Sequence, residues 1–261
     1  MARKRNNAAY WKKRAIRMEE SKEQMARALA ERTRKAYIRS FRRIEKELDK
    51  LYIEILDKGA ENLSRTDLYN LKRYAALRKK IAEEVEVLAS NDDKALGRLL
   101  DLITTDTYRS NLKEFGMDFN LFSEGQAAAI ASQNWSGVQF SARIWGSAQE
   151  FNSRVMNDVE KMILEGRSPD KLKKKLMEDY SSKFHEADRL IRTEASHAYN
   201  SAALQSYMDA GCLYVDYLAE DDCCDLCAPY SGERYPIGDA PVIPVHPNCR
   251  CTYLPVVPGL S

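Results

Sequence analysis

The sequence predicts a mainly α protein: a long N-terminal helix or helical hairpin, a helical body, and a small α+β module stapled by zinc. Three observations carry that reading. Residues 8–57 contain neither glycine nor proline. Helix start and stop signals recur as far as Gly211. All six cysteines lie beyond that glycine, as Cys212, Cys223, Cys224, Cys227, Cys249 and Cys251. With 261 residues, 44% of them hydrophobic, the chain can bury a real core, and 14 Tyr, 7 Phe and 3 Trp are too many for a disordered chain.

Within 8–57 the apolar positions Tyr37, Phe41, Ile44, Leu48, Leu51 and Ile55 follow a heptad seam. Trp11, Ala15, Met18, Met25 and Leu29 form a similar stripe out of phase, which predicts one helix with a slip near Glu31–Lys35. So narrow a stripe cannot bury itself alone and needs a second helix. Lys58–Ser64 breaks the pattern, and Thr66 is the expected N-cap of a helix through Leu88. Ser90-Asn-Asp92 should cap a third near 93–110, with a short helix around Glu124–Ala131. Phe140–Glu165 reads as helical and stops at Gly166. Ser168-Pro169-Asp170 opens a helix to about Tyr180, and another from about Phe184 ends before Gly211. Leu213–Leu218 and Cys251–Val257 read as strands, Pro255 confining the latter to a sheet edge. Three regions follow: a long helical stretch over 1–110, a helical middle over 111–183, and a Cys/His module over 184–261.

Charge is graded along the chain. Residues 1–58 carry 18 Lys and Arg against 9 Asp and Glu, whereas residues 212–261 carry 2 against 7. A basic front and an acidic end suggest different partners for each. Arg3, Lys4, Arg5, Lys12, Lys13, Arg14 and Arg17 could neutralise phosphates without reading sequence, though a solvated helix face needs charges as well. Met1–Arg5 is basic with no apolar segment behind it, so no secretory signal is expected. Apolar runs such as Ala127–Ala131 fall far short of the roughly 20 residues a membrane helix needs.

Cysteines gathered at one end of an unexported chain point to metal rather than to disulfides. Cys224-Asp-Leu-Cys227 sets two thiolates toward one ion, and His246-Pro-Asn-Cys249-Arg-Cys251 returns the remaining ligands. Cys224, Cys227 and Cys249 are the expected zinc ligands, with His246 or Cys251 as the fourth; in a strand, Cys251 would point to the opposite face from Cys249. A closed set of four makes a structural site rather than a catalytic one. The intervening segment could form a short hairpin with almost no apolar core of its own.

Arg192-Thr-Glu194-Ala-Ser-His197 places Glu194 and His197 on one helix face. A di-iron bundle would need a second copy of Glu-x-x-His, which is lacking. A structural role is expected instead, with Arg192 or Glu194 docking this helix on the C-terminal module. Trp135 and Trp145 are expected as core anchors, a partner-binding patch being the alternative. No P-loop, dinucleotide, nucleophile-elbow or zinc-protease motif occurs, so no enzymatic activity is expected.

Several of these motifs taken together resemble the Mu F-like minor head, or head morphogenesis, proteins of tailed bacteriophages. They are Tyr10-Trp11-Lys-Lys-Arg14, Trp135-Ser-Gly, Phe140-Ser-Ala-Arg-Ile-Trp145, Leu190-Ile-Arg-Thr-Glu-Ala-Ser-His197 and, most specifically, His246-Pro-Asn-Cys-Arg-Cys251. The resemblance implies a minor capsid protein that associates with the portal, contacts phage DNA during packaging or ejection, and neighbours scaffold or major capsid protein. It implies a place inside the virion, reached through the host cytoplasm, with no membrane partner. An ADP-ribosyltransferase-like or metal-dependent enzyme, or a host DNA-binding zinc protein, are the alternatives.

Overall fold

The computed structural model describes residues 8–59, 63–117, 129–130 and 135–257. Helix α1 spans Ala8–Asp57, α2 Arg65–Tyr69, α3 Lys72–Phe115, α4 Phe140–Leu164 and α5 Pro169–Asp209. Strands β1 (Tyr214–Leu218), β2 (Arg234–Pro236) and β3 (Thr252–Val256) complete the chain. The mainly α class with a small C-terminal sheet is thus the observed one. No helix among the described residues is long and apolar enough to cross a membrane.

Three local expectations change. A capping box at Ser64 and Asp67, not Thr66, starts the short α2. Helix α3 runs through Ser90–Asp92, because Asp92 turns its carboxylate to side chains instead of capping a backbone. Tyr37 donates to Asp92 Oδ2 over 2.9 Å and Thr33 to Oδ1 over 3.4 Å. Likewise α5 is continuous from Pro169 to Asp209, since no glycine or proline interrupts it after Pro169. Of the helix expected around Glu124–Ala131, only Ala129 and Ile130 lie among the described residues, and both are helical.

The chain divides into two compact units, each discontinuous in sequence. One gathers 30–94 and 140–188. Its helices bury regular stripes: Ile44, Leu48, Leu51 and Ile55 from α1, Leu77, Ile81 and Val85 from α3, and Phe151, Val155 and Val159 from α4. Tyr180 of α5 links α1 and α4, its ring edge-on to Phe151 at 5.0 Å and to Phe41 at 5.9 Å. Arg43 reaches across to Glu84 with two hydrogen bonds of 2.6 and 2.5 Å. Trp145 does not serve as a core anchor: it stays 36% exposed, its indole nitrogen donating to Asp93 over 3.3 Å.

The other unit gathers 1–29, 95–139 and 189–261. Trp11 is buried, stacked on Phe115 at 4.8 Å and edge-on to Tyr207 at 6.4 Å. Asn111 of α3 donates to Ser206 of α5 over 2.9 Å. Helix α5 then ends in a Schellman turn: Gly211 sits at φ +79°, its N–H bonded to Met208 and that of Cys212 to Tyr207. That turn feeds β1, the centre of an antiparallel sheet ordered β2-β1-β3, so β3 with Pro255 lies at an edge as expected. The intervening segment forms no hairpin of its own, since β2 pairs with β1. Nor is the module without a core: Val215, Tyr217, Ile243 and Tyr253 pack with Ala203 and Tyr207 of α5 and with four buried cysteines.

Burial lifts the Asp92 carboxyl from 3.8 to about 6. The unfolded chain therefore sheds this proton before the folded one does. The contribution is complete below pH 3.8 and is lost as pH rises through about 6, on the order of 3 kcal/mol. Urea unfolding of wild type and Asp92→Asn across pH 3.5–7 should show that fall in wild type only.

Candidate metal centre

Three side chains on one face of α5 position the cysteine loop. Ser196 donates to the Cys249 carbonyl over 2.9 Å, and Asn200 donates to the Cys251 carbonyl over 3.2 Å. The Asn248 N–H donates to Thr193 Oγ1 over 3.2 Å. Positions 193, 196 and 200 recur at three and four residues, so they lie along one helical stripe. The fully buried Ala195, Ala202 and Ala203 give α5 little bulk around it.

The loop itself turns tightly. Cys249 N–H bonds to the His246 carbonyl, and Asn248 takes φ +62°, a left-handed value that asparagine tolerates. Because this stretch precedes β3, the alternation expected of Cys249 and Cys251 does not operate. Both sulfurs point into one cluster with Cys227, all within 4.8 Å of one another. A second cluster joins Cys224, Cys227 and His246 within the same limit. Cys227 belongs to both. Cys223 is in neither.

In each cluster one spacing is near that of two donors on a shared ion. With zinc–sulfur bonds of ~2.3 Å, ligand sulfurs should lie about 3.8 Å apart. Cys227 and Cys249 are 3.7 Å apart, and Cys224 Sγ is 3.2 Å from His246 Nε2. Cys227, Cys249 and Cys251 are buried, while Cys224 is exposed and His246 half-buried. Such a donor set could hold a metal.

The thiols differ in ionisation. Hydrogen bonding from Cys251, foremost its side chain and then its backbone N–H, with Val245's backbone, lowers Cys249 to about 5 against the cost of burial. Burial pushes Cys227 up to about 11. Cys251 is raised by its hydrogen bond to Cys249 and by burial. Beside them the buried Tyr217 hydroxyl finds no hydrogen-bond partner of good geometry. The sulfurs that act on it are those of Cys251, Cys249 and Cys227.

The flanking motif behaves differently from expectation. Docking bonds to the loop come from Thr193, Ser196 and Asn200, which sequence reasoning passed over; their stripe on α5 was the available signal. Arg192 instead pairs with Glu23 of α1 at 3.5 Å. Glu194 accepts from the Trp135 indole over 3.0 Å, and the His197 ring stacks on Trp135 at 4.6 Å. Of the basic set, Arg3, Lys4 and Arg5 lie outside the described residues. Lys12, Lys13 and Arg17 are exposed. Arg14 is engaged internally, 2.6 Å from Ser110 and 3.7 Å from Glu114.

What these elements define is a helical protein carrying a cysteine-rich α+β module docked on its last helix. Residues 153–254 match the family described as Phage Mu protein F like protein, and over that stretch the chain is similar to that family. The matched stretch takes in the docking stripe, β1, β2 and every candidate ligand. Neither curated proteins nor solved structures give a match.

Burial holds His197 down from 6.5 to about 4. The unfolded chain gains its proton first as pH falls, so the stability is present above pH 6.5 and lost toward pH 4, on the order of 3 kcal/mol. Replacing it by Gln should flatten that part of the unfolding profile, read as the wild-type-minus-variant difference in urea.

Proposed function

We propose that the chain acts in phage head morphogenesis as a minor capsid protein, associating with the portal and contacting DNA without sequence preference. The observation that carries this is the Mu F-like match, which runs from α4 to β3 and covers the whole cysteine cluster. Its place of work would be the virion, reached by assembly in the host cytoplasm. A structural zinc would join the loops of the module, held by Cys224, Cys227, Cys249 and His246, with Cys251 as the competing fourth donor. Bound there, the ion supplies four bonds to a segment otherwise held by one short sheet and a handful of tyrosines.

Exposed Lys12, Lys13 and Arg17 on α1 support the DNA contact. The acidic module argues against the zinc region gripping phosphate itself. Co-purification of the full chain with portal rings tests the assembly role, and failure to bind any portal ring from its own phage would count against it.

Two further outcomes are expected. Elemental analysis of the reduced protein should give about one zinc per chain. Cys227→Ser, which removes the donor common to both clusters, should abolish it, as should Cys224→Ser, while Cys251→Ser keeps it. Reversing Lys12, Lys13 and Arg17 to Glu should weaken duplex binding at least tenfold and lower the log–log salt slope by about 3. An unchanged slope would remove these residues from the interface.

A further inference from the structure

Tyr217 stands next to the end of β1, paired with Tyr253 of β3, so its side chain is fixed by the sheet. Its ring is buried, tilted against Tyr230 at 5.4 Å and edge-on to Tyr253 at 6.2 Å. The hydroxyl at its tip is the anomaly. It is sealed from solvent without a well-formed hydrogen bond, although buried phenols ordinarily find one. Neighbouring Tyr253 obeys that rule by donating to the Pro241 carbonyl.

Cys227, Cys249 and Cys251 share its buried cluster, and Cys251 and Cys227 are the sulfurs placed to hydrogen-bond its hydroxyl. A thiol is a weak acceptor, whereas a thiolate is charged and accepts strongly. A metal ion turns its cysteine ligands into thiolates. The group that has no proper partner now would gain one on loading. Cys227 belongs to both ligand clusters, so it is a ligand whichever of them holds the ion.

We infer that Tyr217 is a positioning residue of the metal centre, its hydroxyl donating a hydrogen bond to the Cys227 thiolate, with Cys251 as the second sulfur in reach. The inference rests on the reading that the cluster binds a metal. The hydroxyl selects the loaded over the metal-free state without touching the ion.

The test compares the full-length reduced chain as wild type, Tyr217→Phe and Tyr253→Phe. Zinc affinity is read by competition with a chromophoric chelator, and the thiolate-to-metal absorption by titration with cobalt(II). Urea midpoints of the metal-free proteins serve as the control for packing. The expected result is a loss of tenfold or more in zinc affinity for Tyr217→Phe, with a shifted cobalt band and an unchanged metal-free midpoint. Tyr253→Phe should bind zinc as wild type does. Affinity within twofold of wild type with an unshifted band overturns the inference, as does a weaker affinity matched by a lower metal-free midpoint. Absence of zinc from wild type itself is a distinct result, and overturns the metal reading beneath it.

Discussion

The cysteine loop depends on α5 for its backbone bonding. Residues 248–251 belong to no helix or strand, so their peptide groups have no ladder to satisfy them. A buried carbonyl left without a donor costs about 1–3 kcal/mol. Ser196 and Asn200 provide those donors for Cys249 and Cys251, and Thr193 accepts from Asn248. Once these bonds are in place, the direction of the cysteine side chains follows. Their convergence on Cys227 is therefore a property of α5 as much as of the loop. The continuity of α5 matters for the same reason, because a break within it would let the stripe lose its register.

Within the module, one residue type meets contrasting environments. Cys212 is buried in the same core, at the Schellman turn, and burial alone pushes it up to about 11. There it acts as a small hydrophobe. Cys249, equally buried, is brought down to about 5 because donors point at its sulfur. Burial raises Cys227 and the hydrogen bond to Cys249 raises Cys251, and repulsion from the Cys249 thiolate adds to both. A divalent ion would remove that repulsion and let the neighbours ionise together. The geometry without an ion thus already favours the first thiolate of a ligand set.

Much of this could be read from the sequence where periodicity or spacing was strong. The heptad positions from Tyr37 to Ile55 are buried or half-buried, and the Gly166 and Gly211 stops are real. The clustering of Cys224, Cys227 and His246 followed from their spacing. What escaped were features that depend on distant partners. Asp92 looked like a cap because aspartate favours helix starts, but Tyr37, 55 residues earlier, captures its carboxylate. The break expected between Tyr180 and Phe184 does not occur, since the serines at 181 and 182 weaken a helix too little to end it when packing favours continuation. The tyrosine core was hidden because Tyr217 and Tyr253 meet only through the pairing of β1 with β3.

The polarity of α1 gains a structural explanation from the same contacts. Two of its acids form ion pairs with α5 and the module. Glu19 pairs with Arg250 at 3.2 Å and Glu23 with Arg192 at 3.5 Å, and both glutamates are buried. Glu19 also holds Lys22 at 3.1 Å. Acids consumed in internal pairs contribute little field outside, while Lys12, Lys13 and Arg17 remain in solvent. The basic side chains left outward on this stretch are those a phosphate backbone could meet. Arg14 is the exception that marks the boundary, since its bonds to Ser110 and Asn111 make it part of the packing rather than of the surface.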